Sequence, residues 1–253
     1  MIFPCLDRVK AIAPGYDIVP VYMEILSDVR TPISVLKALK QVSSHTYLLE
    51  SADNSNHWGR YSFLGYDPKI ELFCKNHKMT IKDGTTRTFE CSDPAAEIRN
   101  ILSQYKSPRL EELPTFTGGF VGYFACEYIR YIEPTLDFPT PDDDSAMVND
   151  VDLMLFDKVI AFDHYKNKIY LIANISTNDL ERNYNKAELE LKTLADLVVN
   201  GKEGNIPKCI LKTEFTSEFT KNEFEAVVKK TQHYIKEGDI FQCVVSNRRE
   251  AEF

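Results

Sequence analysis

Apolar and polar residues alternate along several short stretches of this chain, which is the pattern of half-buried β-strands. The alternation runs through residues 16–25, 70–74, 79–81, 151–162 and 168–175. Two of the connections, Asp83-Gly84 and the turn at residues 164–167, are short enough to make hairpins. Strands joined by hairpins run in opposite directions, so the pattern predicts antiparallel sheets rather than a parallel core.

Two segments begin in the manner of helices, with an N-cap residue directly before a proline. They are Thr31-Pro32 and Asp93-Pro94, and proline suits the first helical position because an N–H there has no partner within the helix. The apolar residues predicted to face the core are Val35, Leu36, Leu39 and Val42 in the first helix, and Ile98, Ile101, Leu102 and Tyr105 in the second. Both segments are therefore predicted to be short amphipathic helices.

A longer helix is predicted between Asn178, its N-cap, and Gly201, which ends it. Its apolar residues recur at steps of three and four, as one face of a helix requires: Leu180, Tyr184, Ala187, Leu191, Leu194 and Val198. Thr220 and Glu223 form a capping box that opens another helix, which ends at Gly238.

These elements predict an α+β fold of antiparallel β-sheets packed with helices, incomplete at the C-terminus. Residues 239–246 are apolar on both faces, so they predict a buried strand with neighbours on either side, which the short remainder of the chain does not supply. We place an amino-terminal domain at residues 1–200, a linker at 201–216, and the start of a second, truncated domain at 217–253.

Composition excludes several classes of protein. The formal charge of −8 argues against a surface for nucleic acid or an anionic membrane. No apolar run approaches the length of about 18–20 residues that spans a bilayer, and the start, MIFPCLDRVK, is not a secretion signal. The six cysteines are scattered without a C-x-x-C pair, which predicts no metal site and a reduced, cytoplasmic protein.

Residues 47–65, YLLESADNSNHWGRYSFLG, contain the most informative group of polar side chains. Glu50 and Ser51 end an apolar run, and Arg60 opens the next strand after a polar loop. An acid, a hydroxyl and a guanidinium at adjoining strand ends can bind one small zwitterion, the acid contacting its ammonium and the other two its carboxylate. The alternative is a surface ion pair between Glu50 and Arg60 that adds little stability.

Three segments, in order along the chain, resemble a known family. They are LLES…GRYSF within residues 47–65, TGGFVGYFACEYIRYIE at residues 117–133 and YIKEGDIFQ at residues 234–242. All three resemble segments of anthranilate synthase component I, the chorismate-utilising enzyme of tryptophan biosynthesis. The resemblance implies that ammonia, delivered by a glutamine amidotransferase subunit (component II), is added to chorismate with Mg²⁺, and that pyruvate is then lost.

The resemblance also implies where the functional residues lie. In that family the LLES segment forms part of the feedback pocket for L-tryptophan. The resemblance therefore implies tryptophan contacts at Leu49, Glu50, Ser51 and Arg60, and Ser51 is the strongest candidate of the four. The Mg²⁺ ligands and the catalytic residues belong to a half of the enzyme that this chain does not contain. We therefore expect this chain to contain no catalytic or metal-binding residues, to be inactive alone, and to bind tryptophan weakly or undetectably.

Two other functions stay open at this stage. One is a fragment of aminodeoxychorismate synthase component I, and the other is a free-standing amino-acid-binding regulatory module. Gly118, Gly119 and Gly122 do not have the spacing of a phosphate-binding loop and are interpreted as letting a strand pass close to another backbone. The acidic loop at residues 139–144, PTPDDD, is interpreted as a solvated turn rather than a cation site.

Overall fold

Two five-stranded antiparallel sheets form the first of two compact units in the chain. The computed structural model describes residues 1–28, 30–51, 59–133, 135, 148–205 and 207–253. The units are Met1–Asn205 and Ile206–Phe253. The acidic loop and residues 52–58 of the polar loop lie outside the described residues.

Ten strands, five α-helices and a short 3-10 helix at Cys126–Tyr128 are described in the first unit. The strands are β1 (Ile18–Leu26), β2 (Thr46–Leu49), β3 (Tyr61–Tyr66), β4 (Ile70–Lys75), β5 (Lys78–Lys82), β6 (Thr86–Glu90), β7 (Gly119–Phe124), β8 (Val151–Phe156), β9 (Lys158–Asp163) and β10 (Lys168–Ser176). The helices are α1 (Leu6–Ile12), α2 (Pro32–Leu39), α3 (Pro94–Leu102), α4 (Ile129–Ile132) and α5 (Leu180–Asn200). The second unit contains β11 (Thr216–Ser217), α6 (Lys221–Glu237) and β12 (Arg249–Glu250).

The ten strands of the first unit form two sheets. The first sheet has the order β1-β10-β9-β3-β2, and the second has the order β6-β5-β4-β8-β7. All of their neighbouring strands pair antiparallel. The prediction of an α+β fold with antiparallel sheets and helices is therefore confirmed.

The predicted stripe of α5 packs on the first sheet. Tyr184, Ala187, Leu191, Leu194 and Val198 are all buried in one cluster with apolar side chains of β1 and β10. The second sheet is covered by α3, whose Ile98 and Ile101 lie against Leu72, Met79 and Ile81. Each sheet thus buries one apolar face under a helix, as the amphipathic patterns require.

One predicted strand is two strands in the structure. Residues 151–162 were predicted as one strand, but β8 pairs with β4 and β7 in the second sheet, whereas β9 pairs with β3 and β10 in the first. The chain changes sheets at Asp157, between β8 and β9. The sequence pattern does not mark this point because both strands are apolar and buried.

Several predicted ends of elements were wrong. The first of the predicted helices, α2, ends at Leu39, so Val42 lies beyond it and is 57% exposed. Leu102 is also exposed, at 41%, rather than facing the core. The N-cap position of α5 is Asp179 and not Asn178. Residues 239–246 form no strand, and Phe241 is fully exposed, because no strand within the described residues pairs with them.

Candidate functional site

The hairpin of β2 and β3 brings the candidate residues to one end of the first sheet. Leu49 lies opposite Phe63 in the antiparallel pair. Ser51 follows β2 by two residues, and Arg60 directly precedes β3, so both lie at the same end of the hairpin. Leu49, Glu50 and Ser51 are exposed.

Arg60 is paired with a residue that the sequence interpretation missed. Its Nε donates to Asp163 Oδ1 at 3.0 Å, and its Nη2 donates to Asp163 Oδ2 at 2.7 Å. The alternative of a Glu50–Arg60 ion pair is wrong, since Glu50 makes no salt bridge within the described part of the chain. The Asp163 side chain is fully buried, whereas Arg60 is 33% exposed.

Asp163 also organises the turn that follows β9. Its Oδ1 accepts hydrogen bonds from the backbone N–H groups of Tyr165 and Lys166, both at 3.1 Å. Burial by itself raises the pKa of Asp163, but Arg60 and these N–H groups outweigh burial and lower it below the ordinary value. An aspartate directly before a polar turn is the available signal in the sequence, since such residues commonly bond the turn's own backbone.

Aromatic rings hold the guanidinium of Arg60 in place. Its carbon lies 4.8 Å from the ring centroid of Tyr61 and 5.4 Å from that of Tyr165. The hydrogen bond to Asp163 raises the pKa of Arg60. Asp163 takes two of the five guanidinium N–H groups, which leaves the edge formed by Nη1 and Nη2 for another acceptor.

His164 has a partner that was not expected from the sequence. Its Nε2 lies 2.7 Å from Ser62 Oγ, and its backbone N–H donates to the carbonyl of Arg60 at 2.9 Å. Ser62 is buried at 3% exposure, and Asp163 next to His164 is already bonded to Arg60. The pair therefore has neither the accessible hydroxyl nor the orienting acid of a nucleophilic site, and it ties the turn to β3.

The glycine-rich segment has the close backbone approach that was predicted for it. A Cβ at Gly122 would collide with the carbonyl oxygen of Asp152 on β8. Farther along, the Tyr131 hydroxyl donates to Asp150 Oδ2 at 2.7 Å and accepts the N–H of His77 at 2.9 Å. These contacts fix the segment against the second sheet and give it a structural role.

Metal and membrane features are absent from the described residues. In the ranges given above, no three His, Cys, Asp or Glu side chains cluster in a way that could hold a metal ion. The described residues therefore do not fit a Mg²⁺ site. Among the same residues, no helix is both long enough and apolar enough to cross a bilayer.

Comparison with known proteins then decides the family. A family model described as chorismate binding enzyme matches residues 45–253. The chain belongs to the chorismate binding enzyme family. Proteins named anthranilate synthase component 1, which the three segments of the chain resemble, align with it almost from end to end.

Two relatives and one solved structure define the likeness. Anthranilate synthase component 1 of Acetivibrio thermocellus is 35% identical over 98% of this chain and 51% of that protein. The protein of the same name from Aquifex aeolicus is 33% identical over 98% of this chain and 51% of its own length. A crystal structure of anthranilate synthase component I from Streptococcus pneumoniae TIGR4 is 26% identical with a TM-score of 0.55, covering 90% of this chain and 49% of that one. The chain thus spans about half the length of the chorismate binding enzymes it matches.

Proposed function

We propose that this chain is the amino-terminal part of an anthranilate synthase component I, a cytoplasmic lyase that converts chorismate and ammonia to anthranilate and pyruvate. The observation that carries this proposal is the alignment of 98% of the chain with proteins of that name. The same fold in the Streptococcus pneumoniae structure supports it. The activity belongs to the whole protein, and the part described here is inactive by itself.

The proposed partners follow from the reaction. Ammonia comes from a glutamine amidotransferase subunit, component II, and chorismate is the substrate of the whole enzyme. When bound to the whole enzyme, Mg²⁺ would supply positive charge to balance the carboxylates of chorismate. The proposal assigns no Mg²⁺ ligand to this chain, because its described residues do not provide a suitable cluster.

We further propose that Leu49, Glu50, Ser51 and Arg60 form part of an L-tryptophan feedback site. Glu50 is exposed and accepts the ammonium, whereas the Ser51 hydroxyl and the open edge of Arg60 bind the carboxylate. Asp163 and the two aromatic rings hold the guanidinium so that little side-chain entropy is lost on binding. Feedback inhibition follows if tryptophan and chorismate favour different arrangements of the enzyme. Each ligand then weakens the binding of the other by the same coupling free energy, commonly about 1–3 kcal/mol.

Product analysis of the full-length protein tests the reaction. With chorismate, ammonium and Mg²⁺, we expect anthranilate, which is measured by its fluorescence, and no anthranilate from residues 1–253 alone. Aminodeoxychorismate in place of anthranilate would refute the assignment, and activity of the 253-residue chain would refute its inactivity.

A matched pair of serine variants tests the feedback site. Ser51→Ala in the full-length enzyme is expected to raise the tryptophan concentration for half-inhibition about tenfold, the loss of roughly one hydrogen bond to a charged group, with kcat unchanged. Ser92→Ala, at another exposed serine, is the control and is expected to change neither. Unchanged inhibition of the Ser51 variant would remove Ser51 from the site. Micromolar tryptophan binding by the isolated chain would instead favour a free-standing amino-acid-binding module.

A further inference from the structure

A polar cavity lies where the chain passes from the second sheet to the first. Its volume is about 260 Å³, and its walls come from the turn between β8 and β9, the end of β10 and one face of α5. The charged side chains that line it are Lys69, Asp157, Lys158, Lys186 and Glu190, and its two amide side chains are Asn174 and Asn183. Asp157 directly precedes β9 and Asp163 is its last residue, so this cavity and the Arg60 site lie at opposite ends of the same strand.

Asp157 is the feature of this cavity that most needs an explanation. It lies at the sheet change, and within the described part of the chain no other side chain forms a hydrogen bond or salt bridge with its carboxylate. Burial raises the pKa of Asp157, against the opposing effect of Lys158 and Lys69. Asp157 is partly exposed, so its carboxylate is accessible from the cavity, and a ligand that brings a cation to it gains an ion pair that the described side chains do not make.

The lysines around Asp157 are only weakly engaged. Lys158 Nζ is 3.7 Å from Asp67 Oδ2, a long contact to a largely exposed carboxylate. Lys69 Nζ lies 5.1 Å from the ring centroid of Tyr105 and makes no salt bridge with any described residue. Lys186 Nζ is 3.5 Å from Glu190 Oε1 at the rim. Ammonium groups in this condition are available to the carboxylates of a ligand.

Asn174 gives the cavity a fixed wall. Its Nδ2 donates to the carbonyl oxygens of Thr117 at 2.7 Å and Asp157 at 3.1 Å, and its backbone N–H donates to the Asp157 carbonyl at 2.9 Å. These bonds hold the main chain at Asp157 in one position. A preformed wall lowers the cost of ordering the site when a ligand binds.

The charges and the size of the cavity define a ligand. Three lysines and two carboxylates line it, which leaves one net positive charge. A ligand that complements the site carries one cation for Asp157 and two carboxylates for the lysines, and so has one net negative charge. The volume is below the usual range of about 300–1,000 Å³ for drug-sized ligands, which favours a molecule of amino-acid size over a nucleotide.

We propose that this cavity binds a small acidic α-amino acid, with its ammonium on Asp157 and its carboxylates on Lys69 and Lys158. This site is separate from the proposed tryptophan site and does not depend on it. A neighbouring cavity of about 100 Å³, lined by Leu102, Tyr105 and Phe156, shares Asp157 and Asn174 with it.

Calorimetry on the 253-residue chain tests the proposal with two probes that differ in one group. L-glutamate has the ammonium, whereas glutarate is the same dicarboxylate without it. We expect the wild-type chain to bind L-glutamate at least tenfold more tightly than glutarate. Asp157→Asn is expected to weaken L-glutamate by roughly ten- to hundredfold, as for the loss of a charge-assisted hydrogen bond, and to leave glutarate bound at least as tightly as before.

Two lysine variants complete the test. Lys158→Gln is expected to weaken both probes, whereas Lys192→Gln, which removes an exposed lysine paired with Glu188 on another part of α5, is expected to weaken neither. Circular dichroism of each variant checks that the fold is retained. The proposal is overturned if L-glutamate gives no saturable heat of binding. It is also overturned if the wild type binds glutarate as tightly as L-glutamate. If L-tryptophan displaces L-glutamate, the two ligands share one site and the claim of a separate site is wrong.

Discussion

Arg60→Met removes the guanidinium but keeps an unbranched apolar side chain against the neighbouring rings. Asp163, whose side chain is fully buried, then loses the bonds of 3.0 and 2.7 Å from Arg60 and keeps the two backbone N–H donors of the turn. Removing one partner of a buried ion pair commonly costs about 3–5 kcal/mol. Because two donors remain and Arg60 is one-third exposed, we expect a loss of about 2–3 kcal/mol in the free energy of unfolding.

The same substitution has a defined pH dependence. In the wild type the pKa of Asp163 is lowered, because Arg60 and the turn amides outweigh burial, so its stabilisation is complete above the ordinary pKa and is lost as the pH falls through the folded value. Without Arg60, burial dominates and raises that pKa, and the ionised carboxylate becomes destabilising. The difference in the free energy of unfolding between wild type and variant should therefore become smaller as the pH falls from about 7 to about 4.

Urea unfolding followed by circular dichroism at the two pH values measures both effects. Arg87→Met is the matched control, because Arg87 pairs with Asp83 at 3.1 Å on the surface, where such pairs contribute about 0–1 kcal/mol. A loss below about 1 kcal/mol for Arg60→Met, or the same loss at both pH values, would show that Asp163 does not depend on Arg60 for its charge.

Three further predictions concern packing and reactivity. Gly122→Ala should destabilise the first unit by about 1–3 kcal/mol in urea unfolding, since the added methyl group meets the Asp152 carbonyl; an unchanged midpoint would contradict the close approach. Tyr47→Phe should raise the stability by about 1 kcal/mol, because the Tyr47 hydroxyl is buried with no hydrogen-bond partner among the described residues; destabilisation would mean that the hydroxyl is bonded. With a thiol reagent, Cys74 and Cys91 should react much more slowly than the four exposed cysteines, because both are buried and burial raises the pKa of each; six equal rates would contradict this.

The sequence was informative wherever a contact is local along the chain. The buried stripe of α5 is visible as steps of three and four residues, because an α-helix has a fixed period. Thr31 caps α2, and Thr220 with Glu223 forms the predicted capping box of α6, since these bonds span three residues. Hairpins were likewise readable from turn residues.

Long-range pairing was not readable in the same way. Asp163 and Arg60 are separated by about a hundred positions in the chain, and only the pairing of β3 with β9 brings them together. The sequence therefore suggested an open Arg60, or one paired with Glu50, whereas the fold supplies a buried carboxylate. The four candidate residues of the tryptophan site lie at one hairpin end, and their role stays a prediction.

What the sequence determined by itself was the helices α2, α3, α5 and α6, most of the strands, the antiparallel class and the resemblance of three segments to a family. These depend on residue periodicity and on local hydrogen bonds. The tertiary structure alone decided that β8 and β9 belong to different sheets and that Asp157 therefore lies in a cavity among lysines. A change of sheet leaves no mark in the alternation because both strands are equally buried, so only the packed structure locates it.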